Sequence, residues 1–263
     1  MKTLGLQLWT VRNQMAADSQ ATLKQVAKAG YRQVELIDLG DVASVAPIAR
    51  DLGMDVQSSF FNWEVLGNDK PAASIPTLDK VIEQANRHKL KYLVFGYIGK
   101  GHRETVEDYQ RIAARCNQAA EKCAAAGITL CYHNHSFEFA PLTSTKSGYD
   151  VFIDEFDIKS MKFELDVFWV ALGGWNPIDT LKRLEGRVAQ VHLKDILPGT
   201  PTEYEEGKVA ADAFKEVGAG SINMKQVLEL CESIGVELCH VEQDQSPNPL
   251  ESIAVSIGNL QAL

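Results

Sequence analysis

The sequence lacks several features that would assign it to a specialised class of protein. No apolar run approaches the roughly 20 residues that span a bilayer, so no membrane contact is expected. Basic residues are outnumbered, with 26 Lys and Arg against 35 Asp and Glu, which gives a net charge of -9. An acidic chain repels phosphate backbones, and a nucleic acid is therefore not expected as a partner.

Cysteine is scarce and unpatterned. The five cysteines are an odd number and form no C-x-x-C pair, which is typical of reduced thiols in a cytoplasmic protein. The opening segment meets Gln7 and Arg12 too early to contain the apolar centre of a signal peptide. We therefore expect a cytoplasmic protein.

No linker or low-complexity stretch divides the 263 residues, and 45% of them are hydrophobic, so one domain with a sizeable core is expected over 1–263. No G-x-G-x-x-G follows the first predicted strand, which removes the usual support for a dinucleotide-binding fold.

One pattern recurs along the chain. A helical stretch rich in Ala and Leu ends at a turn, and a short β-branched or aromatic run follows. The turn carries a residue suited to the left-handed conformation after a helix, namely Gly30, Gly53, Gly127 or Gly235, with Lys89 and Leu90 in the corresponding place once. Strands that alternate with helices indicate βαβ units and a parallel sheet.

Eight strands are predicted, at about 4–9, 33–37, 54–60, 91–96, 128–133, 161–166, 188–193 and 236–242. Helices lie between them, and 249–262 is predicted as a closing helix. Eight such units in this length predict a (β/α)8 TIM barrel, although an open doubly wound sheet also fits the alternation. The longest irregular piece, 197–220, follows strand seven on the side where barrel enzymes carry their substrate loops.

Ionisable side chains stand at the ends of four neighbouring strands. Strand five ends at His133 and strand six at Asp166. Strand seven ends with His192, Lys194 and Asp195, and strand eight with His240, Glu242 and Asp244. Taken singly, each has an ordinary structural explanation, such as a helix cap. Because the carboxyl ends of barrel strands meet at one face, together they predict a mixed N/O site for a divalent cation.

A series of motifs in order along nearly the whole chain resembles the sugar phosphate isomerase/epimerase family. Its xylose-isomerase-like TIM barrel is shared with inosose dehydratases, tagatose epimerases and endonuclease IV. The motifs are GLQLWTVRN, AGYRQVEL, YHNHSFEF, FELDVFWV, GGWNPIDTLKRL, VHLKDI and HVEQD, of which YHNHSFEF is specific to one branch.

The resemblance implies a metal held by His133, Asp166, His192 and Glu242, with Mn²⁺ as the preferred candidate and Mg²⁺, Co²⁺ or Zn²⁺ as alternatives. His133 departs from the family, since many members have Glu there, and Glu138 could serve as the strand-five ligand instead. Many relatives also have D-x-x-H where this chain has Asp166 followed by Trp169 at the fourth position. That difference, with only six histidines, argues against endonuclease IV.

The implied activity is isomerisation or epimerisation through an enediolate at a ketose or keto-sugar. Epimerases of the family use two ligand carboxylates, and here only Glu242 clearly qualifies. A lyase or dehydratase acting on a keto-glycoside or keto-inositol is the second hypothesis, because His133 or His135 could act as acid or base near neutral pH. A barrel subunit without catalysis is the third.

The candidate substrate-binding residues are Glu35, Lys194, Glu138, Trp9 and Asn62. Lys194 could neutralise an oxyanion or form a salt bridge with Asp195, and Glu35 could bind hydroxyls or pair with a buried Arg or Lys. No basic cluster is dedicated to phosphate, so an unphosphorylated carbohydrate is as well supported as a sugar phosphate. A homo-oligomer is possible.

Aromatic residues near the predicted strand ends could lie against the C–H faces of a sugar or could pack in the core. They are Trp9, Phe60, Trp63, Trp169 and Trp175.

Overall fold

A computed structural model describes residues 3–63 and 75–263. Its barrel strands are β1 (Leu4–Gln7), β2 (Gln33–Leu36), β3 (Asp55–Phe60), β4 (Tyr92–Phe95), β5 (Thr129–His133), β6 (Met161–Asp166), β7 (Val188–Leu193) and β10 (Leu238–Val241). They close in the order β1-β10-β7-β6-β5-β4-β3-β2, and every neighbouring pair is parallel. The TIM-barrel prediction is confirmed, and the open sheet is excluded.

The helices surround the barrel. They are α1 (Arg12–Ala17), α2 (Ser19–Ala29), α3 (Val42–Asp51), α4 (Leu78–Arg87), α5 (Val106–Ala125), α6 (Gly148–Glu155), α7 (Val167–Leu172), α8 (Pro177–Arg183), α9 (Met224–Ser233) and α10 (Pro249–Gln261). The last of them returns to the start of the chain, where the Tyr31 hydroxyl donates to the carbonyl of Ile253. Among the helices described, none is both long and apolar enough to cross a bilayer.

Most predicted boundaries hold to within two residues, and β6 and β7 match their predictions. β1 ends at Gln7, two residues before its predicted end, because 8–11 forms a 3-10 turn. The Gln7 side chain accepts the backbone N–H of Trp9 and so starts that turn. The predicted left-handed residues also have positive φ, including Lys89 at 61°, the single such residue in the described chain that is not glycine.

The irregular segment 197–220 is anchored beside the barrel. Its far end contributes β9 (Phe214–Lys215), which pairs antiparallel with β8 (Asp195–Ile196), directly after β7. The Asp195 carboxylate accepts the backbone N–H groups of Gly218, Gly220 and Ile222. This segment is therefore held against the carboxyl end of the barrel, where the sequence predicted a substrate loop.

The interior of the barrel differs from the shell around it. The main apolar core lies between the outward faces of the strands and the helices. Inside the barrel, a small apolar cluster of Tyr92, Val94, Cys131 and Leu238 is accompanied by fully buried polar and charged side chains. Gly5 provides room for one of them, since a Cβ at that position would collide with the ring of His240.

Candidate metal and active site

Four strand-end residues converge at the carboxyl end of the barrel. His133 Nε2 lies 3.9 Å from Asp166 Oδ2, and His192 Nδ1 lies 3.8 Å from the same oxygen and 2.8 Å from Glu242 Oε2. All four side chains are buried. The strand alternation that sequence left unassigned is thus resolved, since these four residues point inward and meet.

Asp166 combines two roles that the sequence offered as alternatives. Its Oδ1 caps α7 by accepting the backbone N–H groups of Phe168 and Trp169. Its Oδ2 faces the imidazoles and makes no hydrogen bond of acceptable geometry within the described chain, although Lys194 Nζ lies 3.2 Å away. Capping of α7 therefore fixes Oδ1 of Asp166 and leaves Oδ2 available to the site.

Lys194 lies beside this group and contacts three carboxylates. Its Nζ is 3.2 Å from Asp166, 3.0 Å from Glu242 and 2.5 Å from Asp244. The alternative of a salt bridge with Asp195 is wrong, because Asp195 accepts backbone N–H groups of the irregular segment instead. The ammonium group is directed at the site.

The surroundings set the charges of these groups. Burial alone would raise the pKa of Glu242, but Lys194 and His192 outweigh burial and lower it to about 2. Burial likewise opposes the charge of Lys194, yet Asp166 and Asp244 raise its pKa above the ordinary value. For Asp166, burial prevails and raises the pKa to about 6. Glu242 and Lys194 are therefore charged at neutral pH.

A second layer of carboxylates lies below the first. Glu35 accepts from the Gln7 amide at 2.7 Å and from the Ser58 hydroxyl at 2.5 Å, and it lies 2.6 Å from His192 Nε2. It is fully buried, and its contacts are these rather than the Arg or Lys that sequence offered as one alternative. Glu35 supports His192 from beneath, and a direct role in binding hydroxyls stays a prediction.

Glu138 and His135 follow β5 but face different surroundings. One Glu138 oxygen accepts from the Tyr132 hydroxyl at 2.6 Å, and the other accepts the backbone N–H of His135 at 2.9 Å. Glu138 is fully buried, and burial raises its pKa to about 8. Service as a metal or substrate ligand would require both bonds to break. Meanwhile the His135 ring, which this turn holds in place, lines the cavity.

Three residues of this group, His133, Lys194 and Glu242, line a cavity of about 670 Å³, and Asp166 and His192 lie against them. Polar and charged residues on its wall include His133, His135, Lys194, Glu242, Asp244, Arg12, Gln7 and Asn62. Asn62 donates to Asp38 at 2.5 Å, and Trp9 stands at the mouth with 40% of its side chain exposed. Glu206, Gly207, Val209 and Phe214 come from the irregular segment, so this part of the chain does contribute to the wall.

The aromatic candidates divide between the cavity and the core. Trp9, Phe60, Trp63 and Trp169 line the cavity. Trp175 instead packs against Phe139 and Tyr149 within the core. The Nε1 of Trp169 and the Nδ1 of His135 are buried, and neither has a hydrogen-bond partner in the described residues. The described residues therefore leave the hydrogen-bonding capacity of these two atoms unused.

The donor set fits a divalent cation. Ligand atoms of His133, Asp166 and His192 lie within 4.8 Å of one another, and Glu242 adjoins them. Imidazole nitrogens with carboxylate oxygens are the donors that Mn²⁺, Co²⁺ and Zn²⁺ accept. Four buried carboxylates (Glu35, Glu164, Asp166 and Glu242) and the half-buried Asp244 share this interior, with contacts to Lys194 and to imidazoles.

One residue of this interior was missed as a candidate in the sequence. Glu164 is fully buried, lying 3.1 Å from His133 Nδ1 and 3.3 Å from His192 Nε2. The signal for it was present, since Glu164 stands two residues before Asp166 and so shares its face of β6.

Comparison with known proteins places these features in context. Residues 23–262 match the family model described as "Xylose isomerase-like TIM barrel". An inosose dehydratase from Clostridium botulinum (strain Alaska E43 / Type E3) is 28% identical over 155 residues, which are 55% of this chain and 51% of that protein. The chain thus spans about half the length of the curated relatives that it matches.

Solved structures show the same fold over the whole chain. A sugar phosphate isomerase/epimerase from Parabacteroides distasonis superposes with a TM-score of 0.79 at 20% identity, covering 100% of this chain and 99% of that one. The IOLI protein, solved with a bound zinc atom, gives 0.71 at 16% identity and covers 100% and 97%. At these identities the likeness extends to the fold alone.

Proposed function

Because this chain belongs to the family of xylose isomerase-like TIM barrels, we propose that it is a divalent-metal-dependent enzyme that removes a proton next to the ketone of a sugar or polyol and eliminates water. The observation that carries the proposal is the convergence of His133, Asp166, His192 and Glu242 on the floor of the cavity, beside Lys194.

His133 Nε2, Asp166 Oδ2, His192 Nδ1 and Glu242 Oε2 would hold the cation. When bound, a divalent cation polarises a carbonyl group and makes the neighbouring C–H more acidic. The chain itself supplies the acceptor of that proton. Glu242 is ionised, lines the cavity, and carries a carboxylate oxygen 3.0 Å from Lys194 Nζ.

Lys194 provides the balancing positive charge. Its side chain is 2% exposed, and its pKa is raised by Asp166 and Asp244 despite burial, so it keeps its proton at neutral pH. From the cavity wall it can donate a hydrogen bond to a substrate oxygen that gains negative charge. His135 is neutral, because burial and Lys194 lower its pKa to about 3, and it can bind a hydroxyl group.

Elimination is preferred over epimerisation because the cavity floor is asymmetric. Epimerisation at one carbon needs a base on each face of the substrate, and Glu242 has no carboxylate counterpart at the end of β5, where His133 stands. Glu138 is held behind the strand by Tyr132 and His135. Elimination needs one base, Glu242, and one proton donor to the departing hydroxyl, a role that the adjacent Lys194 ammonium can fill as the hydroxyl leaves as water. The inosose dehydratase relative carries out a dehydration by name.

Isomerisation between neighbouring carbons remains the second candidate. A single base can remove a proton from one carbon and return it to the next on the same face. The adjacent Glu242 and Lys194 favour this reaction as well, since together they can accept one proton and stabilise one oxyanion.

The experiment combines metal analysis with a substrate screen. The purified protein would be assayed for bound metal, stripped, reloaded with Mn²⁺, Co²⁺ or Zn²⁺, and incubated with keto-inositols, ketoses and 3-keto-glycosides. Mass spectrometry should find a metal-dependent product lighter by one water. A product of unchanged mass would support isomerisation, and loss of an aglycone would support a glycoside lyase. Absence of affinity for any divalent cation would favour the non-catalytic barrel.

A further inference from the structure

The two imidazoles of the site have contacts at both ring nitrogens. The nitrogens nearer the cavity, His133 Nε2 and His192 Nδ1, face Asp166 and Glu242. The opposite nitrogens face the inner carboxylates, with His133 Nδ1 at 3.1 Å from Glu164 Oε2. His192 Nε2 is 2.6 Å from Glu35 Oε2 and 3.3 Å from the same Glu164 oxygen.

We propose that Glu164 is a positioning residue that orients both imidazole ligands through one oxygen atom. The inference rests on the proposed metal site. A neutral imidazole carries one N–H, and a carboxylate on one side of the ring holds that proton there. The lone pair of the opposite nitrogen then faces the cavity. Glu164 Oε2 is hydrogen-bonded to His133 Nδ1 and lies 3.3 Å from His192 Nε2, so it fixes the binding tautomer of His133 and reinforces the one that Glu35 holds in His192.

Glu164 differs from Glu35 in how many rings it serves. Glu35 contacts one of the two imidazole ligands, His192, and its other bonds come from Gln7 and Ser58. Glu164 contacts both imidazole ligands. Its second oxygen, Oε1, is buried and makes no hydrogen bond to any residue that the structure describes. We therefore expect its loss to disturb two ligands at once.

A histidine ligand at the end of β5 needs a partner that orients its ring, which explains the role of Glu164. A carboxylate ligand at the end of β5 could coordinate through either oxygen, whereas an imidazole coordinates only when its free nitrogen faces the metal. His133 brings that requirement, and Glu164 is its partner across the strand pair, since the two residues are directly opposed in the register of β5 and β6.

The inner cluster could alternatively bind a cation of its own. Ligand atoms of Glu35, Glu164, His192 and His240 lie within 4.8 Å of one another. However, none of these four residues lines the cavity, whereas His133 and Glu242 of the outer site do. The geometry therefore favours support of the outer site.

The test uses metal-free full-length protein titrated with Zn²⁺ against a chromophoric chelator. The variants are Glu164→Leu, Glu164→Gln and, as a matched change of a buried carboxylate, Glu138→Gln. We expect one cation per wild-type chain and a roughly 10- to 100-fold loss of affinity in Glu164→Leu. The glutamine retains an oxygen that accepts N–H donors, so Glu164→Gln should recover part of the loss. Glu138→Gln should stay near the wild type.

A spectroscopic readout separates orientation from general damage to the core. In ¹⁵N-histidine-labelled, Zn²⁺-loaded protein, His133 should carry its proton on Nδ1 and His192 on Nε2. In Glu164→Leu these assignments should weaken, and the visible bands of the Co²⁺-loaded variant should shift. Unfolding of each metal-free variant, followed by circular dichroism, checks that it folds; if Glu164→Leu does not, Glu164→Gln alone must still give the weaker affinity and altered spectrum.

The outcomes are distinguishable. Wild-type protein that binds no cation would overturn the proposed function itself. Wild-type protein that binds one cation, with Glu164 variants of equal affinity and unchanged tautomers, would overturn only the positioning role. Two cations in the wild type and one in Glu164→Leu would establish the inner cluster as a site of its own and likewise overturn the proposal.

Discussion

The two halves of the cavity are built from different chemistry. The ends of β5, β6, β7 and β10 supply imidazoles and carboxylates, with Lys194 just after β7. The ends of β1, β3 and β4 supply mainly rings, including Trp9, Phe60, Phe61 and Tyr97. The charged half can exchange protons with a substrate, and the aromatic half can pack against its apolar faces. This division suits a carbohydrate, whose ring has C–H faces and a polar edge.

The largest effect is expected from the charged half. Glu242→Gln keeps an oxygen that can coordinate a cation but cannot accept a proton. Turnover should fall by about 10²–10⁴, the usual contribution of a general base. Exchange of the substrate α-proton with deuterated water, measured by NMR, should fall with it. If exchange persists while turnover collapses, proton abstraction belongs to His133 or His135.

The next effect concerns the free energy of unfolding and comes from Glu138, which lies behind β5 in the charged half. Burial raises the pKa of Glu138 from 4.5 to about 8. A raised pKa means that the contribution to stability is complete below 4.5 and is lost as the pH rises through about 8. At about 1.4 kcal/mol per pKa unit, this amounts to a few kcal/mol. Chemical unfolding of the metal-free wild type and of Glu138→Gln from pH 4 to 9 gives the free energy of unfolding of each protein as a function of pH. The difference between the two proteins should change across this range by the contribution of Glu138. A difference that stays constant with pH would contradict the prediction.

A smaller effect, on metal affinity, tests whether His133 or Glu138 is the ligand at the end of β5. His133→Ala should weaken metal binding roughly 10-fold or more, a loss seen even for residues that only support a ligand. Glu138→Ala should leave the affinity nearly unchanged, because both its oxygens are bound to Tyr132 and His135. Calorimetric titration of both metal-free variants decides between them. The reverse pattern would move the ligand role to Glu138.

The smallest effect is expected from the aromatic half. Trp9→Ala should raise KM by roughly 2- to 10-fold, the value of one aromatic contact, with little change in kcat. Metal affinity should not change. Trp9→Phe should retain most of the contact, and Ile158→Ala, an exposed residue outside the cavity wall, serves as the control. A large fall in kcat for Trp9→Ala would mean that the two halves are not separate in function.

The sequence alone predicted the barrel and the place of the site. Helix-ending residues such as Gly127 and the alternation of strands indicated the βαβ units, because both are local properties of the chain. They left an open sheet as an alternative, which the closed order of the strands excludes. One geometric rule, that parallel strands end at the same face, placed ionisable side chains of four neighbouring strands together. The choice of His133, Asp166, His192 and Glu242 among them came from the family resemblance. No candidate residue lies in 64–74, which is outside the described part of the chain.

The roles within the site were decided by tertiary structure. In the sequence, Glu35, Glu138 and Lys194 were all candidates for binding the substrate, with nothing to separate them. In the fold, Glu35 lies beneath His192, Glu138 lies behind β5, and Lys194 lies in the cavity wall. A hydrogen bond such as the one between Glu35 and His192 joins residues 157 positions apart. Sequence spacing determines which face of its own strand a side chain occupies, whereas the closure of the barrel determines what it meets there.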